Sequence, residues 1–173
     1  SLGKIFYDLE LAFNNDEFIS ILYTILGSKT YNLESVFNVL FGGGEKPFRN
    51  QNQHKVFYDR LREQLKKIYI NLKHPESKVI TTLRNQTVSM KLSLIEILRF
   101  LEKNDVGLND LPPDLLEKIH DLDHFCRETL SRLANRDKIP ELKFIHDARL
   151  AIKIMLPHAA TLEEEIYSQL GFY

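Results

Sequence analysis

At 173 residues, 43% of them hydrophobic, the chain is long enough to bury one core and too short for two independent ones. Its single cysteine, Cys126, excludes an intramolecular disulfide, a CxxC redox pair and a cysteine-rich zinc site, and a reducing compartment fits best. The formal net charge of −1 hides a segregation: 13 Lys and Arg face 5 Asp and Glu between Lys46 and Lys103, which leaves 10 against 19 in the remainder.

Apolar residues at Ile5, Phe6, Leu9 and Phe13 recur at helical spacing over 4–13. Asn14, Asn15 and Asp16 supply a break and a cap, after which Phe18, Ile19, Leu22, Ile25 and Leu26 predict a second helix that Gly27 stops. A third short helix is expected from Leu33, capped by Asn32, through Val36, Phe37 and Leu40. Gly42, Gly43 and Gly44 end it and open a loop. A long basic helix then starts near Asn52 and ends ahead of Pro75, because the residue before a proline is pushed out of the helical region.

From Ser77 to Lys103 the spacing is helical again, with a run of Thr, Asn and Ser from Thr81 to Ser89 that allows a bend near Asn85. A loop with Gly107 follows, and Pro112 and Pro113 open a helix that reaches about Ala134. Pro140 starts the next helix, which Pro157 is expected to end. Thr161 and Glu164 form a capping box for the last helix, with Glu163, Glu164 and Glu165 in its first turn and Gly171 closing it. No stretch alternates as a strand would. The expected fold is all-α, an irregular bundle of about seven helices in a single domain over 1–173, and with Ser1 in place of an initiator Met it is expected to be a fragment of a larger protein.

The functional reading rests on residues 41–73, FGGGEKPFRNQNQHKVFYDRLREQLKKIYINLK. At about 100° per residue, Phe57, Leu61, Leu65, Ile68 and Leu72 fall within roughly 40° of one direction, flanked by Tyr58 and Tyr69. Lys55, Arg62, Lys66 and Lys73 stack about 100 to 140° from that direction as one basic stripe, with Arg60 and Lys67 on the opposite flank. Upstream, Gly42 to Gly44 can turn their amides toward an anion. Lys46, Arg49 and His54 lie near the helix N-terminus, whose dipole adds partial positive charge, and Phe48 is available as an apolar wedge.

Two shorter strings carry other chemistry. His120-Asp121-Leu122-Asp123-His124 is identical over its five residues to a metal-binding signature of cyclic-nucleotide phosphodiesterases, and resembles the His-Asp pair of HD-type phosphohydrolases. Two histidines at i, i+4 can clasp a metal. Against the apolar stripe from Leu115 to Leu133, however, His120 and His124 point about 120 to 160° away, to the solvent side, and the other ligand motifs of those families are not matched in order. His146-Asp147 is a second such pair, and no metal or cofactor is expected. Residues 49–54, RNQNQH, resemble the Arg-polar-x3-His motif of HEPN-domain ribonucleases. That resemblance implies that His54 would move the 2′-hydroxyl proton and Arg49 would stabilise charge on the phosphate, although Gln51, Asn52 and Gln53 replace the apolar residues that seat the family motif.

Taken as an ensemble, the helical pattern with its basic flank and the terminal TLEEEIYSQLGFY is similar to the C-terminal portions of Legionella-type secreted effectors, with Glu163 to Glu165 as the matching block. Several such effectors end in helical domains that bind phosphoinositides. The expectation is therefore a non-enzymatic recognition module that docks an anionic lipid head group through the basic surface of residues 46–103. Its anion-binding residues would be Lys46, Arg49, His54, Lys55, Arg62, Lys66 and Lys73, on a cytosolic or peripheral membrane protein that could be secreted into a host cell. The alternatives are an effector's protein-protein module binding an acidic surface, and the ribonuclease; nucleic acid ranks below lipid and protein as a partner. No run approaches the 18 or so apolar residues of a membrane span, and no signal peptide is expected.

Overall fold

The computed structural model describes residues 14–26, 36, 40, 48, 50–72, 77–134, 138 and 140–171, with the backbone alone over 69–72. Among them are five α-helices, one 3-10 turn and no strand: α1 (Asn15–Leu26), α2 (Gln51–Leu72), α3 (Lys78–Lys103), the turn Leu108–Asp110, α4 (Pro113–Ala134) and α5 (Leu142–Gln169). The all-α class is as expected, but the helix count of about seven is not. The helix expected over 4–13 lies outside the described residues. Of the next short one, Val36 and Leu40 are helical and fully buried, and the rest lies outside them.

The two helices expected on either side of Pro157 are one. A proline inside a helix removes its own amide bond to the carbonyl four residues back, yet α5 continues because Ala148, Ile152, Ala159, Leu162 and Ile166 remain in phase as one buried row. Thr161 is consequently no cap. Its hydroxyl donates to the carbonyls of Pro157 and His158, at 3.3 and 3.2 Å, from within the helix. Gly171, at φ +78°, ends α5 as its glycine predicts.

Nor does α3 break near Asn85. Its polar run is satisfied without leaving the helix: Thr87 donates to the carbonyl of Leu83 at 2.8 Å, and beyond it Ser93 donates to that of Ser89 at 3.2 Å. Ser77 caps the start by accepting from the Ile80 amide. At the far end Asp105 takes the left-handed conformation usual for glycine, φ 55°. The amides of Asp105 and Val106 then return to the carbonyls of Glu102 and Leu101, at 3.1 and 2.9 Å, in a Schellman closure.

Helix α3 is the shared wall of two apolar clusters. Val88 and Ile95 join Phe18, Ile21 and Leu22 of α1 with Phe57 and Leu61 of α2. Leu83, Met90, Leu94, Ile97 and Leu101, on another side of the same helix, join residues of α4 and α5 such as Leu115, Ile119, Ile152 and Leu162. Burial on both sides makes α3 the central helix, and α2 an outer one that packs chiefly on α1.

Candidate functional site

Helix α2 turns one apolar row inward and its charge outward. Asn50 opens it by accepting from the Gln53 amide at 2.9 Å, and Phe57, Leu61, Leu65 and Ile68 are 0 to 8% exposed. Lys55, Arg62 and Lys66 are exposed, as are Arg60 and Lys67 on the other flank. Arg60 pairs with Glu63 at 3.6 Å in a surface contact of little weight. Arg62 lies 5.0 Å over the Tyr58 ring, which holds its guanidinium against the helix while leaving it open to solvent. Among the described residues Lys55, Lys66 and Lys67 make no ion pair.

The remaining expected site residues divide in two. Lys46, Arg49, Lys73 and the three glycines Gly42, Gly43 and Gly44 lie outside the described residues. His54 and Phe48 are described, and they face each other: their rings stand edge to face at 5.0 Å, with His54 also 5.5 Å from the Tyr58 ring and Phe48 5.3 Å from the buried Phe57. Both are half-buried. Phe48 thus packs against the apolar cluster of α1 and α2, and His54 sits within an aromatic group at the start of α2.

The expectation that the cations of 46–103 share one outer surface is corrected at three positions, where burial and a carbonyl or carboxylate partner draw the side chain inward. Lys91 is fully buried on α3, with Nζ 2.5 Å from Asp123 Oδ1 of α4 and 2.9 Å from Glu17 Oε2 of α1, the latter an ion pair outside hydrogen-bond geometry. Arg127 closes the group, 3.0 Å from Asp123 and 3.6 Å from Glu17. Burial holds the Glu17 carboxyl above its ordinary value, with Lys91 pulling it back. Arg84 is 2% exposed, donates to the Leu133 carbonyl at 2.9 Å and lies 5.1 Å over the Tyr23 ring. Arg99, half-buried, donates to the Leu40 carbonyl, and burial lowers its pKa.

Sequence reasoning missed the Lys91 group. Its partners are far apart in the chain, but a signal was present: Arg84, Val88, Lys91 and Ile95 follow one another at four-, three- and four-residue steps, so both cations stand in an apolar helical row. The same group absorbs part of the His-Asp string. Asp123 is turned to Lys91, whereas His120, Asp121 and His124 are exposed. No cluster of three or more His, Cys, Asp or Glu among the described residues could hold a metal ion. Cys126 is buried beside this group, and burial pushes its thiol up to about 12, so it is no nucleophile near neutral pH. No described helix is long and apolar enough to cross a membrane. No protein-family model, curated protein or solved structure matches the chain.

Proposed function

We propose that the chain is a recognition module that docks an anionic phospholipid surface, of the phosphoinositide type, through the outer flank of α2. The observation that carries this reading is the division of labour on that helix. Its apolar row is committed to the core, and Lys55, Arg62 and Lys66 stand in solvent without a carboxylate partner among the described residues.

The size of the effect follows from the charge count. Helix α2 holds five Lys and Arg against two Asp and Glu, and each net cation near an anionic surface supplies about 1 kcal/mol. About 3 kcal/mol is roughly a hundredfold enrichment, which makes attachment reversible and dependent on salt. A densely charged head group, offering several phosphate charges in one place, gives the stripe most to bind.

Co-sedimentation tests this with neutral phosphatidylcholine vesicles, alone and doped with phosphatidylinositol bisphosphate. The expected result is sedimentation with the doped vesicles only, lost as salt is raised. Equal partition onto both vesicles, or none onto either, would overturn the lipid reading.

A further inference from the structure

Helices α4 and α5 run antiparallel, since Lys118 Nζ meets Glu165 Oε2 at 2.8 Å near one end and Arg132 lies 5.0 Å over the Phe144 ring near the other. Toward the Arg132 end a groove of about 670 Å³ opens between them. Phe125, Phe144, Ala151 and Met155 line it with apolar surface, and Asp121 and Glu128 on the α4 side face Glu141 and Asp147 on the α5 side. Two cations, Arg132 and Lys143, are present against these four carboxylates, and Arg132 is engaged over Phe144. On α5 the apolar surface continues past the groove to Leu150 and Ile154, one turn apart and 47% and 65% exposed.

We propose that this groove docks an amphipathic helical segment of another protein, with apolar side chains along its centre and Lys or Arg along its edges. Residues three and four apart on such a helix share one face, so successive apolar side chains enter a groove that runs between two parallel walls. Carboxylates on both walls meet cationic edges and repel anionic ones. Ala151, the smallest of the apolar lining residues named, gives the groove depth where an anchor would sit. A second copy of this chain does not supply the segment from α2, because the apolar row of that basic helix is already buried in its own core.

Fluorescence anisotropy on the full chain tests the assignment with a labelled helical peptide built only of Leu and Lys at amphipathic spacing. Saturable binding is expected, weakened about tenfold by Asp121→Lys with Asp147→Lys, and likewise by Ala151→Arg. Glu102→Lys, an exposed charge reversal at the end of α3, leaves it unchanged, and the matching Leu and Glu peptide does not bind. Asp121 and Asp147 are exposed, so the paired reversal retains the fold even if Ala151→Arg does not, and circular dichroism verifies this. Equal binding of the two peptides, or wild-type affinity in the folded paired reversal, overturns the proposal.

Discussion

Replacing Lys91 with methionine keeps most of the length of the side chain and removes its charge from a site that is fully buried. Asp123 retains Arg127 at 3.0 Å and some solvent, so the loss falls mainly on Glu17, which is 0% exposed and is left with Arg127 alone, at 3.6 Å. Removing one partner of a buried pair costs about 3–5 kcal/mol, a large share of the roughly 5–15 kcal/mol that holds a domain folded. Glu17 can relieve this by keeping a proton. Its folded-state pKa is already raised by burial, and without Lys91 it rises further. Above the ordinary value of 4.5 the unfolded chain then releases a proton that the folded chain retains, so stability falls as pH rises through that window. With no tryptophan in the chain, urea unfolding followed by helical circular dichroism is the suitable assay. The Lys91→Met deficit should grow as pH rises from 4.5, and Glu17→Gln added to it should recover about 1–3 kcal/mol. A deficit below about 1 kcal/mol, or a double variant no better than the single one, would refute the reasoning.

Four further outcomes are expected. Cys126, buried and with its pKa pushed from 9.0 to about 12, should resist aromatic disulfide reagents until the chain is unfolded; its contribution to stability, intact below pH 9.0, should fade as pH climbs toward 12. Pro157→Ala should raise the urea midpoint, adding about 1–3 kcal/mol by restoring an interior amide to α5, whereas a loss of stability would show that the helix does break there. Arg84→Met should cost about 1–3 kcal/mol, since it leaves the buried Leu133 carbonyl without its donor; an unchanged midpoint would deny that bond its weight. Asp105→Gly should raise the thermal midpoint by relieving the left-handed residue that closes α3, worth up to about 1 kcal/mol.

The helical class was legible because apolar periodicity is a local property, and the inward row Phe57, Leu61, Leu65 and Ile68 came directly from it. Helix ends at prolines were read unevenly. Pro113 does open α4, where its missing amide has no partner to lose, but Pro157 does not end α5, because the tertiary packing of Ala159, Leu162 and Ile166 outweighs one absent bond. The wheel correctly turned His120 and His124 outward. What a charge count could not separate is a cation in solvent from one in the core. Lys91, Arg84 and Arg99 each added to the basic excess, yet each is turned to a partner on another part of the chain that only folding brings near. The groove between α4 and α5 was equally hidden, being a property of two helices that start at Pro113 and Leu142 and whose facing walls meet only in the assembled bundle.

Vesicle sedimentation of the paired charge reversal Arg62→Glu with Lys66→Glu, set beside the wild-type chain, bears most directly on the outward flank of α2. Both side chains are exposed and neither is paired with a carboxylate among the described residues, so the variant should unfold at the same urea concentration and yet stay in the supernatant when phosphatidylinositol bisphosphate vesicles carry the wild type down. Wild-type sedimentation by a folded variant would contradict the account.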